Sequence, residues 1–331
     1  MKALIPVAGI GTKLRPHTHT QPKPLIPVAG KPILGHIIEN LIEAGITKQI
    51  FVIGYLREKI QSYVEDNFGD KIEAEFVVQE PRKGLAHALW VAREEIKGAR
   101  EIVINLGDTI FGPDTNKVVQ MEGSVFAVQE VDDPREFGVA MLDHEGYVTK
   151  LDEKPEIPTS NLALVGMYKI AQVSLLLEVL DEMVEREIAP YEEYALTDAL
   201  MVMVKRKVQL RTLMVENWFD CGRQQSLLLA NRILLERANL SQNFEFEGSV
   251  IIPPVHIAEG CEIVHSIVGP NVAIAEHARI HNSIVRNSIL GAYSNLESII
   301  LHRSVIGNDT SLRGKSNRIN IGDNTEIDFE Q

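Results

Sequence analysis

The sequence predicts two domains: an α/β domain on a Rossmann-like mixed sheet over residues 1–240, and a parallel β-helix of hexapeptide repeats over residues 247–331. Three observations carry that expectation. Apolar runs of strand length alternate with segments of helical period through residue 106, the pattern of strands joined by crossover helices. From Val250 onward, aliphatic residues return about every sixth position and no helical period survives. A chain of 331 residues is also long for one domain and suits two.

The first apolar run, residues 4–8, has the length of a buried parallel strand. It runs directly into Gly9-Ile10-Gly11-Thr12, where backbone can approach a ligand unobstructed by side chains, as a phosphate cradle requires. Lys13, Arg15 and Lys23 follow within eleven residues, on a segment that Pro16, Pro22, Pro24 and Pro27 keep from becoming a regular helix. The spacing is neither the P-loop G-x-x-x-x-G-K-[ST] nor the dinucleotide G-x-G-x-x-G, because position 14 is leucine. Pro32 then stands where a first-turn proline would, and Ile33, Ile37, Ile38, Leu41 and Ile42 recur at helical spacing until Gly45. Strands are expected at 49–53, 74–79 and 101–106, with helices at 58–64 and 84–96 between them. Alternation at this spacing calls for parallel strands covered on both faces, with ligands at the strands' carboxyl ends. The glycine turn, Gln79 and Asp108 all fall at such ends, so three separate stretches are expected to converge on one crevice.

Between 124 and 168 short β segments take over, including 138–142, 147–151 and 164–168. Helices return at 171–185 and 197–206, followed by a strand at 208–214 and a long amphipathic helix at 224–239 that closes the first domain. In the second, Ile257, Ile263, Val268, Ile274 and Ile280 mark the repeat, and Leu290 to Leu296 and Ile306 to Leu312 keep the six-residue step. The steps of ten, Ile280 to Leu290 and Leu296 to Ile306, predict rungs with an altered hexad.

Hydrophobic residues make up 45% of the chain and charged residues 24%, ordinary for a globular protein with a proper core. A net charge of −13 argues against nucleic acid or an anionic membrane as the main partner. The basic N-terminal segment is then a local island suited to a small anionic ligand. Cys221 and Cys261 offer neither a disulfide framework nor metal-site spacing, which suits a reducing compartment. The N-terminal apolar run is too short for a signal peptide, and the most apolar later window, 162–180, is interrupted by Lys169, Gln172 and Glu178. No membrane span is expected, and the cytoplasm is the expected compartment.

The motif G-I-G-T-K-L-R-P at 9–16, with P-K-P-L-I-P at 22–27 and Gly30-Lys31-Pro32, resembles the signature of the sugar-1-phosphate nucleotidylyltransferases, the pyrophosphorylases that make nucleotide sugars. The resemblance implies a GT-A-like domain. It also implies a reaction in which a sugar-1-phosphate oxygen attacks the α-phosphorus of a nucleoside triphosphate and expels pyrophosphate. Both reactants are anionic, so catalysis would consist of in-line positioning and charge neutralisation by cations and a metal. On this resemblance Ala8, Gly9, Gly11, Thr12 and Gly107 bind the nucleotide, with the backbone amides of 9–12 on the triphosphate. Lys13 and Arg15 take the leaving pyrophosphate and Lys23 the α-phosphate. The family usually has arginine where this chain has Lys13, which keeps the charge but loses the bidentate fork.

Asp108, in G-D-T-I-F, resembles the family's catalytic metal aspartate, and Asp220, in W-F-D-C-G, resembles the second ligand. Both would hold Mg²⁺, which takes one or two carboxylates and lets substrate phosphates complete its shell. By residue type alone each reads equally as a turn or capping aspartate. The stretch Gln79-Glu80-Pro81-Arg82-Lys83-Gly84 resembles the uridylyl and thymidylyl members, in which the glutamine pairs with the pyrimidine edge through its donor and acceptor. Without the resemblance Gln79 is an ordinary strand-end amide. Pro24 after Lys23 matches the guanylyl members instead, so GTP with mannose-1-phosphate stands as the alternative to dTTP or UTP with glucose-1-phosphate. Gly138, Glu153, Lys154, Asn161, Val165 and Gly166 are the expected sugar-phosphate contacts, although Lys154, next to Pro155, reads equally as solvated loop charge. Lys13 also keeps open a weakly catalytic regulatory subunit that binds nucleotide sugar. The C-terminal repeats resemble the left-handed β-helix appended to some pyrophosphorylases and forming the body of hexapeptide acyltransferases. About four rungs without an extended loop disfavour acyl transfer, while flat aliphatic faces suit assembly into a homo-oligomer.

Overall fold

The computed structural model describes residues 1–187, 193–238 and 244–314. The chain divides into two compact units, Met1–Ala230 and Asn231–Gln331. In chain order the first unit begins β1 (Lys2–Pro6), β2 (Pro27–Val28), β3 (Lys31–Pro32), α1 (Ile33–Glu43), β4 (Lys48–Ile53), α2 (Arg57–Phe68) and β5 (Glu73–Val78). It continues with α3 (Leu85–Val91), α4 (Arg93–Ile96), β6 (Ile102–Asn105), β7 (Thr109–Ile110), α5 (Asp114–Gln120), β8 (Ser124–Glu130), β9 (Gly138–Leu142), β10 (Val148–Glu153) and β11 (Leu162–Ile170). α6 (Val173–Glu185), α7 (Leu196–Lys205), β12 (Leu210–Met214) and β13 (Phe219–Asp220) follow, and α8 (Gln224–Ala238) runs across the division between the units.

The main sheet is mixed, with β10, β9, β11, β6, β1, β4 and β5 in spatial order and β8 and β12 added on the β11 side. β6, β1, β4 and β5 are mutually parallel, because each connection carries a helix back across a face. β11 pairs antiparallel with β6, β8 and β9, and β9 with β10 as a hairpin, while β12 at the far edge returns parallel to β8. The central strands carry no alternation: β6 is buried at every position, as a strand covered on both faces must be. Leu4, Ile50, Val52, Ile102, Ile104 and Phe126 meet Leu176 and Leu200 of α6 and α7 in one cluster. Each such side chain contributes about 1.5–3 kcal/mol by leaving water.

Two local expectations change. The segment 84–96 is two helices, because the backbone turns at Ala92. Arg93 holds the break by donating to the Trp90 carbonyl at 3.0 Å and lying 4.3 Å over its ring. The basic loop, which the prolines keep from forming a helix, folds as three single turns at 12–14, 17–19 and 23–25.

In the second unit, twelve short strands form three parallel four-stranded sheets, which fits the left-handed β-helix. Val250 lies beside Ile267, Ile267 beside Ile284 and Ile284 beside Ile300, so successive coils are offset by 17, 17 and 16 residues rather than 18. The steps of ten are therefore two five-residue sides, with Val285 and Leu301 pointing into the core between Ile280, Leu290, Leu296 and Ile306. Asn271, Asn282 and Asn287 turn corners with positive φ, which asparagine tolerates better than most residues. Asn271 Nδ2 donates to Asn287 Oδ1 at 2.9 Å and ties two corners together. Residues 315–331 of the expected β-helix lie outside the described residues, as do 239–243 where the first domain was expected to close. No described helix is long and apolar enough to cross a membrane.

Candidate active site

β1 and β6 are neighbours, with Leu4 beside Ile104, so the glycine turn after one strand and Gly107-Asp108 after the other open at the same edge. Gly107 permits the close approach: a Cβ there would lie 2.4 Å from Val7 Cγ1 and 2.7 Å from the Pro6 carbonyl oxygen. Gly11, at φ +72, does the same for the basic loop, since a Cβ would sit 2.8 Å from Lys23 Cβ. Thr18 Oγ1 donates to the Gly11 carbonyl at 2.9 Å and pins the loop in that position. Lys23 thereby reaches across and donates to Asp108 Oδ2. Antiparallel pairing of β7 with β13 sets Asp220 opposite Thr109, and the Cys221 amide donates to the Asp108 carbonyl at 3.0 Å. Two aspartates far apart in sequence are thus brought beside one lysine.

The electrostatics follow from that crowding. Burial pushes the Asp108 carboxyl up, but the Lys23 ammonium, by charge and hydrogen bond, outweighs it with help from Thr109 and holds the carboxyl below the usual range. Asp220 moves the other way: burial raises it first and the negative charge of Asp108 raises it further, against the Gly222 amide, Lys23 and Lys13. The pair carries more negative charge than Lys23 neutralises. That donor set, hard carboxylate oxygens with uncompensated charge, fits a divalent cation such as Mg²⁺. Among the described residues no group of three or more His, Cys, Asp or Glu side chains gathers, so a cation held by this pair would need phosphates to complete its shell.

These groups line a cleft of about 840 Å³, together with Gly9, Gly11, Thr12 and Lys13 on one side. Across it stand Gly138, Glu153, Lys154 and Val165. Gly138 faces Glu153 in the β9–β10 register, and Thr197 Oγ1 donates to Glu153 Oε2 at 2.8 Å. A Cβ on Gly138 would meet Thr197 Cγ2 at 2.8 Å, so glycine lets α7 close on the carboxylate. Lys154, at φ +43, holds its ammonium 3.5 Å from Glu153 Oε1 and its amide on the Phe137 carbonyl.

Other expected residues stand outside the lining. Ala8 is buried and accepts from the Tyr55 amide, and Arg15 is exposed on the loop. Pro81 lies on an exposed loop, Asn161 accepts from the Val131 amide, and Gly166 accepts from the Leu106 amide. Gln79 is likewise outside the lining. It is buried, and its amide nitrogen donates to the Gly84 carbonyl at 2.9 Å and meets His87 Nδ1 at 3.2 Å. Burial and the charge of Lys83 lower the His87 pKa. In this arrangement the Gln79 amide nitrogen is engaged within the loop. Gly84, at φ +99, instead lets the loop pair with Tyr194, whose carbonyl would lie 2.6 Å from a Cβ there.

The cleft also holds Glu136, Thr197, Trp218 and Arg223, which sequence reasoning did not single out. Arg223 had a signal in standing three residues after Asp220; the others are placed by β9, α7 and the segment before β13 and carry none.

The segment before β13 is braced by Asp114 of α5, which is fully buried. Its Oδ2 accepts from the Glu216 amide at 2.9 Å, the Asn217 amide at 2.7 Å and Asn217 Nδ2 at 3.0 Å, and Lys117 lies 2.7 Å from Oδ1. Burial pushes this carboxyl up, but Lys117, Asn217 and Glu216 outweigh it and hold it below the ordinary value. A depressed folded-state pKa contributes stability above the ordinary carboxylate range that disappears as pH falls through the depressed value. Asp114→Ala is expected to cost about 3 kcal/mol at pH 7, because the two amides lose a charged acceptor. Urea unfolding of parent and variant should show that gap narrow at pH 3, and equal stability at pH 7 would refute the brace.

Comparison with known proteins places these residues in a wider setting. The nucleotidyl transferase family model matches residues 2–237. The chain is 36% identical over 249 residues to the low-salt glycan biosynthesis nucleotidyltransferase Agl11 of Haloferax volcanii, covering 73% of this chain and 68% of that protein. It is 38% identical over 264 residues to the bifunctional protein GlmU of Methanococcus vannielii, covering 76% of this chain but only 61% of that one. It is 31% identical to the UTP–glucose-1-phosphate uridylyltransferase AglF of Haloferax volcanii over 67% of this chain and 91% of that protein. Among solved structures, a Bacillus anthracis protein described as a glucose-1-phosphate thymidylyltransferase, in complex with a sucrose, superposes with a TM-score of 0.62 at 28% identity. That match covers 74% of this chain and 97% of the other. A UDP-glucose pyrophosphorylase complexed with UDP-glucose superposes with a TM-score of 0.62 at 25% identity, over 71% and 98% of the two chains.

Proposed function

The chain belongs to the nucleotidyl transferase family, and from that premise we propose that it transfers a nucleotidyl group from dTTP or UTP to a hexose-1-phosphate, glucose-1-phosphate first among them. The observation that carries the reading is the meeting of Asp108, Asp220 and Lys23 in a cleft whose volume suits a nucleotide and a hexose together. The names of AglF and of the two solved relatives support the glucose and pyrimidine choices.

In this reading the glycine turn and Lys13 hold the triphosphate, while Lys154 and Glu153 hold the sugar phosphate and sugar hydroxyls. Lys23 leaves Asp108 for the α-phosphate as substrate enters. Mg²⁺ held by Asp108 and Asp220 would supply charge neutralisation at the phosphates. No side chain need act as a general base, because the attacking phosphate oxygen is ionised at neutral pH. Catalysis is then positioning and electrostatics. Arg15 would reach pyrophosphate from the exposed loop, outside the cleft lining.

A panel of dTTP, UTP and GTP against glucose-1-phosphate and mannose-1-phosphate, read by pyrophosphate release, tests the proposal. Turnover with dTTP or UTP and glucose-1-phosphate should exceed the GTP and mannose-1-phosphate pair by about tenfold or more. The opposite order would move the chain to the guanylyl reading. Silence with every pair would favour a regulatory subunit that binds nucleotide sugar.

A further inference from the structure

Glu136 sits in the single turn before β9 and lines the cleft. Its two carboxylate oxygens are engaged by cations from distant parts of the chain: Lys13 Nζ donates to Oε2 at 3.0 Å, and Arg223 Nη2 donates to Oε1. Lys13 belongs to the loop after β1 and Arg223 to the turn after β13, so one carboxylate gathers cations from two separate segments that line the cleft. The hydrogen bonds from Lys13 and Arg223 hold its carboxyl below the ordinary range. All three side chains are at least half exposed, and ion pairs in such surroundings are weak and readily exchanged. A carboxylate offers two anionic oxygens in a plane, as does one face of a phosphate, and a guanidinium binds either through a fork that a lysine lacks.

We propose that Glu136 is an internal stand-in for a substrate phosphate: it holds Lys13 and Arg223 together in the cleft until the triphosphate takes both cations, and Arg223 thereby joins the phosphate-binding residues. The proposal rests on the nucleotidyl transfer reading for the identity of the anion. Phosphate oxygens carry more charge than one carboxylate and can accept from both cations at once, so the exchange runs toward ligand. Glu136 is a positioning residue in this scheme, and Arg223 touches substrate.

The test is calorimetric titration of the intact chain with inorganic pyrophosphate, alongside KM for the triphosphate and for the sugar phosphate. Glu136→Gln removes the competing charge and keeps the shape, so pyrophosphate should bind about two- to fivefold more tightly. Its triphosphate KM should fall with the sugar-phosphate KM unmoved. Arg223→Ala should weaken pyrophosphate binding about tenfold or more, and Arg223→Lys should restore part of the loss. In the Arg223→Ala background the gain from Glu136→Gln should shrink, because one of the two released cations is gone. Unchanged or weaker pyrophosphate binding by Glu136→Gln, or unchanged binding by Arg223→Ala, would overturn the proposal. The titration needs no turnover, so its outcome stands apart from that of the nucleotide panel.

Discussion

Asp108→Asn is expected to lower kcat by about a thousandfold while leaving the thermal midpoint within a few degrees of the parent's. The side chain keeps its size and its place beside Thr109, so the fold has little to lose. In the proposed site, what disappears is one of two carboxylates and with it half of the protein's charge toward a divalent cation. The neighbouring Asp220 responds in a defined direction: the charge of Asp108 is one of the causes that raise its pKa, so in the variant that carboxyl titrates lower. The variant should therefore need a higher magnesium concentration for half-maximal rate and show a lower ceiling. Steady-state assays across a magnesium series measure both, and a variant retaining more than a tenth of parental turnover would sink the metal-site assignment. Loss of a readily measured parental rate would at the same time eliminate the regulatory-subunit reading.

The second large effect is expected at Lys23. Its stem is packed against Gly11 and its ammonium is the cation that holds Asp108 below the usual carboxylate range. Lys23→Met preserves the stem and removes the charge, and on the proposed role of Lys23 at the α-phosphate kcat is expected to fall about a hundredfold. The pH profile should move as well. With the ammonium gone, burial acts on Asp108 with little opposition, so its carboxyl rises and stays protonated to higher pH. The acidic limb of the rate profile then shifts upward, and the loss relative to parent is larger at pH 5 than at pH 8. A uniform loss at every pH would mean that Lys23 does not set the ionisation of Asp108. Combined with Asp108→Asn the two losses should fall short of additive, because each substitution breaks the same contact.

Gln79 illustrates how a motif can be legible in sequence while the contacts of its side chain are decided by the fold. A glutamine at a strand end before a glycine-rich loop looks ready to read a base, and its residue type carries both a donor and an acceptor. Whether those atoms face a ligand depends on Gly84 and His87, which turn back and engage the amide nitrogen. The placement of Arg15 is likewise a matter of the fold: its charge is written in the chain, but it lies exposed on the loop after the turn at 12–14 while Lys13 and Lys23 line the cleft. In the β-helix the six-residue recurrence identified the architecture. The five-residue sides appear only once Val285 and Leu301 are seen to sit on strands with their side chains in the core.

Periodicity, glycine turns and proline placement are relations between neighbours along the chain, and they were enough to determine the alternating α/β unit, the repeat that follows it, and a basic, non-helical loop after the first strand. The tertiary structure decided the partners. Lys23 meets Asp108 across 85 residues, Glu136 takes Lys13 across 123 and Arg223 across 87, and Asp220 reaches the site through a two-strand pairing that no local pattern announced. Such contacts depend on which strand ends the sheet order brings together, and sheet order follows from the packing of whole faces rather than from any short run of residues.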